Sequence, residues 1–132
     1  TVTGTRRIFV DVPLAGFSDI VRFCRDDLHF THLCTITGLD AGDAFEFIYH
    51  VANDEGVVLN LKLKAPRENT VIPSVMPIYQ GSEFYELELE GLLGVRVEGL
   101  PDDRQYPLPD NWPKGQYPLR KDWKPEPVRP EP

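Results

Sequence analysis

Apolar and polar residues alternate in two neighbouring segments of the chain. Residues 57–65 read VVLNLKLKA, with apolar side chains at every second position and asparagine and lysines between them. Residues 44–52 read AFEFIYHVA and place Phe and Tyr side chains on one face. A period of two is typical of strands with one buried face, and the loop NDEG at residues 53–56 suits a hairpin. The two segments therefore predict an antiparallel sheet with one face in solvent.

Two more strands and a helix are predicted ahead of this hairpin. Residues 5–12 form an apolar, β-rich run that ends at Pro13, and residues 32–38 form a second β-branched run. Between them the apolar residues recur at spacings of three and four, which predicts an amphipathic helix. The apolar stripe of this helix consists of Phe17, Ile20, Val21, Cys24 and Leu28.

Residues 82–99, SEFYELELEGLLGVRVEG, fit the pattern of a strand and also that of a helix. A strand would place the leucines on one face and the glutamates on the other, whereas a helix would carry Glu83, Glu86 and Glu90 as one acidic stripe. Local signals favour the helix, because Ser82 is an acceptable N-cap and Gly94 can end the last turn. We therefore predict a second helix here.

These elements predict an α+β fold, a two-layer sandwich. Its mostly antiparallel sheet of about five strands would carry two helices on one face, within a domain formed by residues 1–99. Nine of the thirteen prolines lie at or after Pro101, so residues 100–132 are predicted to form a Pro-rich, extended docking tail. The large apolar residues of this tail need a surface to lie on, which is either the chain's own sheet or another subunit.

Composition excludes several classes of function. The formal net charge of -7 argues against a nucleic-acid partner, since phosphate binding depends on clustered Lys and Arg. No apolar run approaches the roughly 20 residues that a membrane span requires. Two cysteines, Cys24 and Cys34, do not make a disulfide framework and fit a reducing compartment. We expect a soluble chain in the cytoplasm.

A metal site is conceivable in the stretch HFTHLC, which contains His29, His32 and Cys34. A fourth ligand is lacking nearby. His32 and Cys34 would share one strand face with Ile36, so a core cysteine with a hydrogen-bonded histidine is the favoured interpretation. The sequence also has no Gly-rich phosphate loop and no nucleophile elbow. We therefore predict no metal, no cofactor and no catalytic residue.

The glutamates of the second predicted helix offer one alternative function. Glu83, Glu86, Glu88 and Glu90 could supply an acid and a base for hydrolysis. A solvated or partner-facing helix face is the favoured interpretation of this acidic stripe.

Three stretches, collinear between Gly38 and Trp123, resemble a known family: YHVANDEG, APRENTVIPSVMPIYQGSEFYELELEGLLGV and LPDNWPKGQYPLRKDW. The chain resembles the 30-kilodalton (C) subunit of complex I, and most closely the equivalent small subunit of membrane-bound, energy-converting NiFe hydrogenases. Glu86 and Glu88 match two signature acids, and residues 118–122 (PLRKD) match the closing run. The chain departs from the family where Leu87, Gly91 and Leu100 replace an arginine, an aspartate and a histidine.

This resemblance implies a non-catalytic structural or assembly subunit of a membrane-associated respiratory redox complex. The complex would be an energy-converting hydrogenase or, as the second choice, the peripheral arm of an NADH:quinone oxidoreductase. The subunit would hold no cofactor and would contact the hydrogenase-like large subunit and the iron–sulfur small subunit. It would lie at the cytoplasmic face of the membrane and meet the membrane only through other subunits. The expected partner contacts are Glu86, Glu88, Leu108, Trp112, Pro118, Leu119, Arg120, Lys121, Asp122 and Trp123. The alternatives are a small carboxylate-dependent hydrolase and a stand-alone interaction module.

Overall fold

A computed structural model describes residues 2–4, 7–68, 70–100 and 116–124 of the chain. A short 3-10 turn at Gln80–Ser82 precedes the second helix. The helices and strands, in chain order, are β1 (Val2–Gly4), β2 (Arg7–Val12), α1 (Phe17–Asp26), β3 (His32–Asp40), β4 (Ala44–Ala52), β5 (Val58–Pro66), β6 (Val71–Pro73), α2 (Glu83–Leu93) and β7 (Arg96–Glu98).

The main sheet has five strands in the order β1-β2-β5-β4-β3. Strands β3, β4 and β5 form an antiparallel meander, while β2 runs parallel to β5. Strands β6 and β7 pair in parallel as a separate two-stranded sheet. The predicted α+β fold with a mostly antiparallel sheet is therefore confirmed, although most of the predicted Pro-rich tail lies outside the described residues. The domain boundary at residue 99 stays a prediction.

The alternation of residues produces one apolar sheet face, as predicted. Phe45, Phe47, Tyr49 and Val51 of β4 are buried and lie opposite Ala65, Leu63, Leu61 and Leu59 of β5. The other face carries polar side chains, among them Lys64, whose Nζ lies 3.4 Å from Oε1 of Glu46. Burial of these apolar side chains supplies most of the driving force for folding.

Helix α1 covers this apolar face with Phe17, Val21 and Cys24. The ring of Phe17 lies 4.8 Å from that of Tyr49, centroid to centroid. The inclusion of Leu28 in the predicted stripe is wrong, because the helix ends at Asp26 and Leu28 is 45% exposed.

Helix α2 covers the same face next to β3, and the helical interpretation of residues 83–93 is confirmed. Gly94 ends the helix with a φ of 76°, and its N–H donates to the Glu90 carbonyl at 3.0 Å. Ser82 is the N-cap residue, as expected, but its side chain makes no capping bond to the backbone. Its hydroxyl donates instead to Glu86 at 2.6 Å.

Strand β3 contains a β-bulge near its start. The register with β4 shifts between Leu33 and Thr35, so that Leu33 and Ile36 are the buried apolar residues of the strand. The expectation that His32, Cys34 and Ile36 share a face is therefore wrong, because the extra residue of a bulge reverses the alternation.

Gly38 allows α2 to approach β3 closely. A Cβ atom at this position would lie 2.6 Å from Leu89 Cδ2 and 2.6 Å from Leu93 Cδ1. We predict that Gly38→Ala lowers the free energy of unfolding by about 1–3 kcal/mol, the usual cost of overpacking a core, as measured by urea denaturation. Gly81→Ala is the matched control, since a Cβ atom at Gly81 meets nothing within 4 Å. Equal effects of the two changes would contradict close packing at Gly38.

Candidate interaction site

Residues 116–124, here called the docking segment, lie at the C-terminal end of α2. The N–H of Leu119 donates to the Leu92 carbonyl at 2.9 Å, and Nε of Arg120 donates to the Leu93 carbonyl at 2.7 Å. The last carbonyls of a helix lack partners within the helix, and a positive charge there is favoured by the helix dipole. The docking segment therefore completes the end of α2.

Arg120 also lies against two aromatic rings. Its guanidinium carbon is 5.4 Å from the centroid of Phe45 and 4.6 Å from that of Tyr117. These distances are typical of cation–π contacts. Because Phe45 belongs to the buried face of β4, Arg120 connects the docking segment to the core of the domain.

Asp40, the last residue of β3, joins three parts of the chain. Its carboxylate accepts hydrogen bonds from Lys121 N at 2.8 Å, from Gly42 N at 2.9 Å and from Arg67 Nη1. Burial alone would raise the pKa of this carboxyl. The two backbone donors and the Arg67 guanidinium outweigh burial and lower its pKa to about 2. Asp40 is therefore an ionised link between β3 and the docking segment.

Arg67 extends this link to a second carboxylate. Its Nη2 lies 3.1 Å from Oδ1 of Asp122, while Nη1 binds Asp40. Its guanidinium also lies 5.2 Å from the Phe45 ring centroid. A planar guanidinium can hold two acceptors at fixed directions, so Arg67 fixes where residues 121 and 122 lie.

The run PLRKD was expected to fix the register of the tail against a partner. In the structure the polar groups of Arg120, Lys121 and Asp122 bind the chain's own domain. Trp123 donates from Nε1 to Gln116 at 3.0 Å, and Leu119 remains 49% exposed. Contact of these residues with a partner stays a prediction. Two further expected contact residues, Leu108 and Trp112, lie outside the described residues.

Glu86 was expected on a solvated or partner-facing helix face, and this expectation is wrong. Its side chain is 0% exposed. The carboxylate accepts from the hydroxyls of Ser82 at 2.6 Å and Ser74 at 2.9 Å, and from Val75 N at 3.2 Å. The pKa of Glu86 is raised, because the effect of burial is larger than the lowering caused by these three donors. The residue thus fixes the loop before α2 to the helix.

The hydrolase alternative loses one of its four candidate residues through this burial. A general acid or base must reach the substrate, and both oxygens of Glu86 are enclosed by the chain's own donors. Glu88 is half-buried on the same helix, and Glu90 accepts from Val97 N at 2.9 Å. The acidic stripe therefore contains one residue of the core and one that binds β7. Within the described ranges, no group of three His, Cys, Asp or Glu side chains is placed to hold a metal ion.

Sequence reasoning missed Asp40, Arg67 and Phe45 as parts of this site. Asp40 lies in the turn-rich stretch LDAGD, where an Asp two residues before a Gly is typical of a local side-chain turn. Arg67 lies in a segment interpreted only as a connection. Periodicity gives no signal for contacts between residues 27 or 55 positions apart in the chain.

The model of one protein family, described as respiratory-chain NADH dehydrogenase, 30 Kd subunit, matches residues 10–128. This chain belongs to that family. The resemblance inferred from the sequence motifs is thereby confirmed.

Relatives of this member of the 30 kDa family come from several respiratory complexes. It is 36% identical to the C subunit of the F(420)H(2) dehydrogenase of Methanosarcina mazei, over 93% of this chain and 78% of that protein. It is 34% identical to the beta subunit of the membrane-bound hydrogenase of Pyrococcus furiosus, over 92% of this chain and 72% of that protein. A chain in the solved structure of the membrane-bound sulfane sulfur reductase, an archaeal respiratory membrane complex, matches with a TM-score of 0.83 and 27% identity. That match covers 94% of this chain and 75% of the other.

Two of the three residues that differ from the family signature have buried side chains. Leu87 and Leu100, which replace the arginine and the histidine, belong to the hydrophobic core. Gly91, which replaces the aspartate, is half-buried on α2. None of the helices in the described part of the chain is both long and apolar enough to cross a membrane.

The contact between Gly94 and Tyr117 tests the attachment of the docking segment. A Cβ atom at Gly94 would lie 2.5 Å from Tyr117 Cδ2, and the φ of 76° also favours glycine. Gly42 has a φ of 94° but meets nothing within 4 Å, so Gly42→Ala measures the backbone cost alone. We predict that Gly94→Ala costs at least about 1 kcal/mol more than Gly42→Ala in urea denaturation. It should also speed hydrogen exchange at residues 119–123. Equal costs and unchanged exchange would mean that Tyr117 is not held against Gly94.

The buried Glu86 predicts a pH dependence of stability. Because burial raises its folded-state pKa above the ordinary value of 4.5, the folded chain retains the proton where the unfolded chain has lost it. The stabilisation that the retained proton gives the folded state is complete below about pH 4.5 and is lost as the pH rises through the folded-state pKa. Glu86→Gln keeps an acceptor oxygen and removes the charge, so its stability relative to the unaltered chain should improve from pH 5 to pH 8. Urea denaturation at both values measures this, with Glu88→Gln as the control. A relative stability that does not change with pH would show that Glu86 does not titrate differently in the folded state.

Proposed function

We propose that this chain is a structural subunit of a membrane-associated respiratory redox complex, and that it acts by binding neighbouring subunits. The observation that carries the proposal is the family match over residues 10–128. The names of the relatives support it, since they are subunits of F(420)H(2) dehydrogenase, of a membrane-bound hydrogenase and of NADH-quinone oxidoreductase.

The docking segment supports a role in binding. Its backbone is held by Leu92 and Asp40, while the Leu119 side chain is half exposed beside them. A contact residue that is already fixed loses little conformational entropy on association. The geometry therefore suits a surface prepared for a neighbour.

The partners we propose are the large, hydrogenase-like subunit and the small iron–sulfur subunit of the complex. We propose the cytoplasmic face of the membrane as the location, with membrane contact made only by other subunits. Leu108, Trp112 and Trp123 would add apolar contacts from the C-terminal part of the chain. Large aromatic side chains commonly dominate such interfaces.

The kind of complex is the finer part of the proposal. The sequence motifs favour an energy-converting hydrogenase over an NADH:quinone oxidoreductase. The relative from Methanosarcina mazei adds a third candidate, a complex that acts on F(420)H(2). The chain is 36%, 34% and 33% identical to relatives from these three kinds of complex.

Purification of the tagged chain from its own cells in mild detergent tests the proposal. We expect cluster-bearing and membrane subunits to accompany it in mass spectrometry, together with iron, and with nickel if the complex is a hydrogenase. A chain recovered alone and free of iron would overturn the proposal and favour a stand-alone interaction module.

A matched pair of variants makes this experiment specific to the docking segment. Leu119→Ala should lower the recovery of the other subunits about tenfold, since it removes an exposed apolar contact. Leu28→Ala is the control, because Leu28 is also about half exposed but lies beyond the end of α1. Equal recovery of the other subunits with both variants would contradict a contact between Leu119 and a partner.

A further inference from the structure

A surface pocket of about 490 Å³ lies beside the docking segment at the C-terminal end of α2. Three arginines, Arg67, Arg96 and Arg120, are among the residues that line it. We call it the arginine pocket. Its other walls include the ring of Tyr117 and the side chain of Val71, which is 42% exposed.

The charge of the arginine pocket is opposite to that of the chain. The whole chain has a formal net charge of -7, yet Glu90 is the one acidic residue in the described lining of the pocket. Oε2 of Glu90 accepts from Val97 N at 2.9 Å. Because Arg67 is already paired with Asp40 and Asp122, the positive charge that the pocket offers comes from Arg96 and Arg120.

Within the described part of the chain, two of the three arginines have no ion-pair partner. Arg67 binds Asp40 and Asp122. Among the described residues, no carboxylate forms a salt bridge with Arg96 or Arg120. Arg120 donates from Nε to a carbonyl, which leaves its two terminal nitrogens for other acceptors. Arg96 is exposed on β7. Both side chains have donors to offer to an anion that enters the pocket.

We propose that the arginine pocket binds one carboxylate of a neighbouring subunit, carried by an Asp, a Glu or a chain end on an extended segment. This inference rests on the proposed function, because it requires that neighbouring subunits exist. The inference identifies the chemistry of one contact between this chain and a neighbouring subunit. The N–H groups of a planar guanidinium match the two oxygens of a carboxylate. The arginines of the pocket come from separate elements of the fold.

Two observations favour a carboxylate on a protein over a phosphate headgroup of a membrane. First, Arg67 at the edge of the pocket already holds two carboxylates of this chain, and the apolar walls can contact the methylene groups of an acidic side chain. Second, an anionic membrane surface would repel a chain with a net charge of -7. Salt screens charges beyond about 8 Å at physiological ionic strength, so the attraction is confined to a group that enters the pocket.

Zero-length crosslinking of the assembled complex tests this proposal. A carbodiimide joins an amine to a carboxylate in contact with it, and Arg96→Lys places such an amine in the pocket while keeping the charge. Arg22→Lys, at an exposed position of α1, is the matched control. Mass spectrometry of the digested complex then identifies the carboxylate joined to each new lysine.

We expect residue 96 to be joined to an Asp, a Glu or a C-terminal carboxylate of another subunit, at least about tenfold more often than residue 22. Arg96→Gln should also weaken retention of that subunit about tenfold at low salt and less at high salt. Arg22→Gln should leave retention unchanged.

Three results would overturn the proposal. One is that residue 96 crosslinks only to carboxylates of its own chain, such as Glu98. Another is that the isolated chain binds phosphatidylglycerol vesicles and loses this binding in Arg96→Gln, which would assign the pocket to a phosphate headgroup. A third is that the complex is recovered with its subunits but without any crosslink at residue 96, which removes this inference and leaves the proposed function intact. Recovery of the chain without other subunits would overturn both.

Discussion

The attachment of the C-terminal region to the domain depends on one buried carboxylate, that of Asp40. It lies at the end of β3, 1% of its side chain is exposed, and it binds donors from a turn, from Arg67 and from the docking segment. A buried charge is tolerated only when it is paired and hydrogen-bonded. The need to satisfy Asp40 therefore fixes Lys121 next to β3, and the Leu93 carbonyl holds the neighbouring Arg120. Arg120 and Arg67 both lie against the Phe45 ring, which brings them together in the lining of the arginine pocket.

Asp40 and Glu86 show how surroundings give two buried carboxylates opposite properties. Asp40 faces a guanidinium and backbone N–H groups, which lower its pKa in spite of burial. Glu86 receives only hydroxyl and backbone donors, and burial therefore dominates and raises its pKa. The first joins the docking segment to the sheet as an ion, whereas the second joins α2 to its preceding loop at the cost of desolvation. Both side chains are almost fully buried, so neither is placed to reach a substrate in solvent.

The departures from the family signature have a simple physical consequence. At Leu87 and Leu100 the chain buries apolar side chains where the signature has charged or polar ones. Buried apolar side chains carry no desolvation cost that a partner would have to offset, unlike buried charged groups. The polar links described above are made by Asp40, Arg67 and Glu86.

The sequence by itself determined the layers of this protein. The alternation in β4 and β5 predicted the buried face of the sheet, and spacings of three and four predicted α1, because burial of apolar side chains imposes a period on each element. The pattern of α2 fitted both a strand and a helix, and the local signals at Ser82 and Gly94 favoured the helix. The motif PLRKD also identified the family. Only the tertiary structure decided that Glu86 is internal, that a bulge reverses the faces of β3, and that PLRKD binds its own domain. These features depend on pairs of residues far apart in the chain, such as Asp40 with Lys121. Local periodicity carries no information about which distant donor will satisfy a buried acceptor.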